Sequence, residues 1–351
     1  MKTARTAVSA LSLAVTAACS GAIAATPATP TYSIVDRIPG TGKAWDYAVI
    51  DEGAQRLYLA QQGVTAVDLN TNKLTTGLVP GKVTHGVTPL GDGRVAVDDS
   101  ATRTVTIFNG SSGDVVATIP TAEHNPVNGH HALDALVLEP RSGLLVAING
   151  ESGLLILIDT RQNKVAGTVS IGGKPEFAAA DGRGNLYVNL DLGKKTELVG
   201  VDIVARKVVA HLPLSDCEEP TGLAYDKNDD LLISACGGNG AVKFLHRADG
   251  REAKSLTVGE GADAVMFDAQ RGLAFVPAAD NGTLSVIAVR SPADISVVQT
   301  LRTQAGTRLG AVALSSGRVY LPAAKFGPPV PPSPYPSVLP GTFEILVAAP
   351  K

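Results

Sequence analysis

Asp46, His85, Asp134, Glu176, Thr221, Asp263 and Gly310 occupy one equivalent position in seven successive units of this chain, and five of the seven are ionisable. The chain as a whole is only 18% charged, so this position is enriched in charge. Carboxylates brought to one place repel one another. They persist only with a cation, shared protons or hydrogen-bond donors. The chemistry on offer is therefore a cation site or a polar binding mouth. Oxygens from Asp46, Asp134, Glu176 and Asp263 suit Ca²⁺, whereas Zn²⁺ would need imidazoles such as His85. For any single member the alternative is structural, because Asp and Thr at a strand start also bond to loop backbone.

Further candidates surround these positions. Trp45, the one tryptophan, precedes Asp46 and is read either as a stacking wall for a planar or sugar ligand or as ordinary packing. Glu218 and Glu219 precede the Pro220-Thr221 turn. Arg308, two residues before Gly310, could grip a carboxylate with two hydrogen bonds or pair with a neighbouring acid. His130 and His131 lie just before Asp134, but adjacent residues on a strand point opposite ways. Both can serve one ion only if a turn lies between them.

The elements that must position these residues form a repeat. Its second strand reads RLYLA, RVAVD, LLVAI, NLYVN, LLISA, LAFVP and RVYLP. A third strand follows as VTAVDL, TVTIFN, LLILID, LVGVDI, AVKFLH, TLSVIA and FEILVA, and most units add a fourth of the DVVATIP type. These segments alternate or run continuously apolar, as half-buried and buried strands do. The last unit lacks a fourth strand, while TYSIVDRIP at 31–39 stands before the first unit without partners. Pairing the two closes a ring and removes two sheet edges. The expected fold is all-β: a seven-bladed β-propeller with four-stranded blades, spanning residues 25–351 as one domain. In such a ring the seven equivalent positions meet at one mouth of the central channel. FGPPVPPSPYPSVLPG at 326–341 is an extended, stiff insertion in the last blade, read as a lid or a plain surface loop.

NLYVN, VYLP and the following KVVATI-like segments resemble the degenerate YVTN repeat. WDYAVID, THGV, GGKPEFAAADGRGNLYVN, CEEPTGLAYD and the closing FEILV resemble a bacterial YncE-like branch of that family. The resemblance spans nearly the whole chain after residue 24 and implies a propeller and export. It carries no assigned chemistry.

Residues 1–24 have Lys2 and Arg5, an apolar run and an A-x-A ending at Ala24, the pattern of a secretory signal peptide. The expected location is periplasmic or secreted. A lipoprotein anchored through Cys19 is less favoured, because the usual apolar residue three positions earlier is missing. The full chain has 30 Lys and Arg against 33 Asp and Glu; without Lys2 and Arg5 this becomes 28 against 33, a net charge of −5. That balance disfavours nucleic acid as a partner, and no later stretch is long and apolar enough for a transmembrane helix. Haem is not expected, since C-x-x-C-H is absent, and neither is a nucleotide. Cys217 and Cys236 remain as an even pair in an oxidising compartment, and a disulfide is expected.

Two functions follow. The first is a monomeric binding module that takes a small molecule, a glycan or a periplasmic protein through an acidic channel mouth formed by Trp45, Asp46, His85, His131, Asp134, Glu176, Glu219, Asp263 and Arg308. The second is a metal-assisted hydrolase, lactonase or lyase, with Ca²⁺ or Zn²⁺ held among Asp46, His85, Asp134, Glu176 and Asp263.

Overall fold

A computed structural model describes residues 29–125, 127, 129–330 and 336–351. The expected signal peptide at 1–24, Cys19 and the middle of the proline-rich segment lie outside the described residues. Seven four-stranded antiparallel sheets follow one another. Six are consecutive along the chain, from Ala48–Asp51 at the start of blade 1 to Asp294–Arg302 at the end of blade 6. Blade 7 combines Ala311–Ala313, Arg318–Ala323 and Glu344–Pro350 with Tyr32–Pro39 as its outermost strand. Tyr32 pairs with Pro350 and Pro39 with Glu344, the ring closure that the unpartnered N-terminal segment implies.

Strand periodicity explains why the blades stack. In Arg56–Ala60, Leu57 and Leu59 enter the core between blades 7 and 1, while Tyr58 and Ala60 enter the core between blades 1 and 2. Val146 and Ile148 of blade 3 likewise face blade 4, and Leu145 and Ala147 face blade 2. Successive side chains point to opposite sheet faces, so a strand sandwiched on both sides must be apolar throughout. Outer strands such as Lys164–Ser170 have one rim-facing edge and mix exposed with buried positions.

Blade 5 carries a bulge beside its cysteines. Cys236 pairs with Pro220, and the register shifts between Pro220 and Leu223. Cys217 and Cys236 have Cα atoms 5.1 Å apart, within the range a disulfide requires. Closing this loop should contribute about 3 kcal/mol. Intact-mass analysis of protein folded under oxidising conditions should show no free thiol, and Cys217→Ser/Cys236→Ser should melt several degrees lower. Two free thiols in fully folded protein from an oxidising compartment would reject the crosslink.

Candidate functional site: the channel mouth

The innermost strands bring their first residues to one end of the channel. Tyr47 donates its backbone N–H to the His85 carbonyl at 3.2 Å, fastening the start of blade 1 to blade 2. On blade 2, both oxygens of the fully buried Asp98 accept backbone N–H groups, from His85 at 2.8 Å and Gly86 at 2.9 Å. A Cβ at Gly86 would fall 2.4 Å from the Leu136 nitrogen, so glycine is what lets blades 2 and 3 approach here. His85 is thereby held beside the segment preceding the inner strand of blade 3.

That segment contains the turn the two adjacent histidines require. Ala132 donates to the Gly129 carbonyl at 3.3 Å, and the His130 and His131 rings stand 4.9 Å apart on the same side. The turn is pinned from beneath. Buried Asn125 donates through Nδ2 to the Ala132 carbonyl, and Asn149 bonds to Asn125 Oδ1. From the side, Glu151 accepts the His131 N–H at 3.0 Å.

The side chains sort into four acid–base pairs. His85 Nδ1 lies 2.6 Å from Asp46 Oδ2 and 3.8 Å from Asp134 Oδ1. His131 Nδ1 lies 2.7 Å from Asp134 Oδ1. Glu176 is tied to Lys174 at 2.6 Å, and Asp263 to Arg308 at 3.1 Å. Lys174 is a cation the sequence reading overlooked; Arg308 is not alone at the mouth.

These pairings set the protonation states. Burial pulls His85 down, but the hydrogen bond and charge of Asp46, with Asp98 and Asp134, outweigh it and raise it to about 9. Its hydrogen bond to Asp134 raises His131. His130 is lowered by burial and by its two imidazole neighbours. Burial, with the charge of Asp134, raises Glu176 to about 6 against the opposing pull of Lys174. Burial also raises Asp263 to about 6; Arg308 opposes this, and Asp46, Glu219 and Asp134 reinforce it.

Beneath the polar groups two aromatic rings reach into the channel. Tyr47 of blade 1 and Phe177 of blade 4 come from opposite sides of the ring, and their rings stack 4.6 Å apart. Burial, then the charges of Asp46, Asp134, Glu176 and Asp263, push the Tyr47 hydroxyl well above its ordinary value, as a floor under converging carboxylates must be. A cavity of about 260 Å³ continues down the axis among Tyr47, Phe177, Asp263, Met266 and Val312.

Not every expected residue belongs to this cluster. Trp45 is buried between blades 7 and 1, its ring 5.0 Å from Phe343 and 6.0 Å from Phe326, so it is core rather than a wall of the mouth. Phe326 opens a short hairpin, Phe326–Pro329 against Pro336–Val338, which anchors the proline-rich insertion on Trp45. Glu219 is exposed at the rim. Thr221 donates to the Ala262 carbonyl at 2.8 Å, and Gly310 is crowded by Leu321, Tyr320 and Met266. Both serve packing. Among the described residues the groups of side chains close enough to share an ion are His85, His130 and His131, and Asp46, His85 and Asp134, and neither includes Glu176 or Asp263. Asp98, Tyr47, Phe177 and Lys174 escaped sequence reasoning. Asp98 alone left a signal, a carboxylate directly following the apolar Val95, Ala96 and Val97 on a buried strand.

Among the described residues, no helix is long and apolar enough to cross a membrane. No family model matches the chain, and no curated protein is similar to it in sequence. Solved structures share its fold. A chain of the Kuenenia stuttgartiensis hydrazine synthase superposes with a TM-score of 0.68 at 14% identity, covering 86% of this chain and 96% of that one. A chain of the mitotic checkpoint complex gives the same score and identity, covering 90% of this chain and 95% of that one. At such identities the likeness establishes the propeller architecture and nothing about activity.

Proposed function

We propose that the protein is an exported binding module that takes a small polar molecule in the mouth above the Tyr47–Phe177 stack. The observation that carries this reading is the convergence of charged groups of both signs above the Tyr47–Phe177 stack. Four carboxylates, three imidazoles, Arg308 and Lys174 converge around a pair of stacked aromatic rings. Groups of both signs over a π-face suit a sugar-like polyol, which offers hydroxyls to the carboxylates and C–H faces to the rings. Arg308 and Lys174, with side chains 47% and 59% exposed, remain free to bond a ligand without first leaving the core.

Thermal-shift and calorimetric titration with a panel of mono- and oligosaccharides, amino sugars and sugar acids tests this. A ligand at a hundred times its Kd should stabilise by about 2.7 kcal/mol. Arg308→Ala and Lys174→Ala should each weaken it about tenfold or more, the loss expected for a charged hydrogen bond. A ligand whose affinity is indifferent to both substitutions would place binding elsewhere. The second reading, a metal-assisted hydrolase, lactonase or lyase, is supported by the three clustered imidazoles and stands only if an ion binds there.

A further inference from the structure

We propose that His85, His130 and His131 form a three-imidazole centre for a zinc-class divalent cation, with Asp46 and Asp134 orienting two of the rings. The proposal deepens the reading of the mouth as a ligand site and rests on it. Each histidine offers a ring nitrogen within 4.8 Å of those of the other two. Their ring centroids are 4.9 to 5.1 Å apart in all three pairings. Two of the rings are engaged through Nδ1 by carboxylates, Asp46 at 2.6 Å and Asp134 at 2.7 Å. A carboxylate on one nitrogen fixes the ring's orientation and leaves Nε2 to face a metal, the usual outer arrangement around ligating histidines. His85 Nε2 now contacts the His130 carbonyl at 3.1 Å, the bond a cation would replace.

Ligand type narrows the ion. Three nitrogens favour Zn²⁺, Cu²⁺ or Ni²⁺ over Ca²⁺ and Mg²⁺, which prefer oxygen. His85 is buried, His131 partly exposed and His130 exposed, so the centre has a closed inner side and a face open to solvent. Three protein ligands with one open position can hold water or a ligand oxygen as the fourth. The alternative grouping of Asp46, His85 and Asp134 would favour a harder ion. It would also take both carboxylates away from the imidazoles they now orient.

The test is titration of chelator-stripped full-length protein with Zn²⁺ and Co²⁺, followed by calorimetry, elemental analysis and the visible spectrum of the cobalt form. One ion per chain and the intense absorption of tetrahedral cobalt are expected. His130→Ala/His131→Ala, which changes only the turn and spares buried His85, should lower affinity at least a hundredfold. Asp134→Asn should lower it tenfold to a hundredfold, whereas exposed His211→Ala on the outer strand of blade 4 should leave it unchanged. Substoichiometric uptake, or an affinity unaffected by the double substitution, overturns the centre. So does a preference for Ca²⁺ that is lost in Asp46→Asn, which would assign the ion to the carboxylates. Sugar binding that persists in chelator without metal uptake also overturns it, and leaves the broader reading of the mouth intact.

Discussion

Deleting Tyr32–Pro39 should abolish cooperative unfolding and drive the protein into aggregates. This strand buries Tyr32 and Ile38, at 2% and 4% exposure, and each is worth roughly 1.5–3 kcal/mol. Its loss also strips the partner from Glu344–Pro350, a strand whose five central residues are all buried. A long apolar edge with free backbone groups is a template for intermolecular pairing. Domains of ordinary stability have only about 5–15 kcal/mol in hand, so the combined loss is near the whole. Calorimetry and size-exclusion chromatography of the deleted protein should show a broad or missing transition and high-mass species. A peptide covering residues 30–40 should restore a monomer. A deleted protein that stays monomeric and melts like the full chain would refute closure through this strand.

Glu176→Gln/Asp263→Asn should stabilise the chelator-treated protein above neutral pH and lose that advantage in acid. Both carboxyls titrate near 6 in the folded state, above their ordinary values of 4.5 and 3.8. Between those values and 6 these two groups bind more protons in the native state than in the unfolded one, so their contribution to stability is full below the unfolded values and is lost as pH rises through 6. At about 1.4 kcal/mol per pKa unit, ionisation costs on the order of 2 kcal/mol at Glu176 and 3 kcal/mol at Asp263. Neutral amides avoid that cost, and the cations left behind, Lys174 and Arg308, are exposed enough to be solvated. At about 2–4 °C per kcal/mol for a domain of this size, the double variant should melt several degrees higher at pH 8 and close to wild type at pH 4. A difference that does not change with pH, or a variant less stable at pH 8, would show that these acids are held by their ion pairs rather than strained by burial.

The repeat, the fold and the closing strand were legible because they rest on local pattern. RLYLA and LLILID can bury both faces only between neighbouring blades, and one unit short of a strand leaves SIVDRIP one place to pair. The sequence also brought Asp46, His85, Asp134, Glu176 and Asp263 to one mouth, since equivalent positions in a ring are equivalent in space. It could not say which of them touch. Adjacent members stand tens of residues apart in the chain, and a contact between them depends on blade spacing and side-chain rotamers. Only the tertiary structure decided that Asp46 takes His85 and Asp134 takes His131, while Glu176 and Asp263 turn to Lys174 and Arg308. It also decided that a turn at 129–132 sets His130 and His131 side by side, where simple alternation would have opposed them. Trp45 and Tyr47 show the same limit. Two residues apart, they lie on the same side of an extended chain. Both indeed pack against the core between blades 7 and 1, yet Tyr47 also reaches Phe177 of blade 4 while Trp45 meets Phe326 and Phe343 of blade 7. Strand periodicity names the face a side chain takes, but the neighbour it meets there is set by packing across the ring.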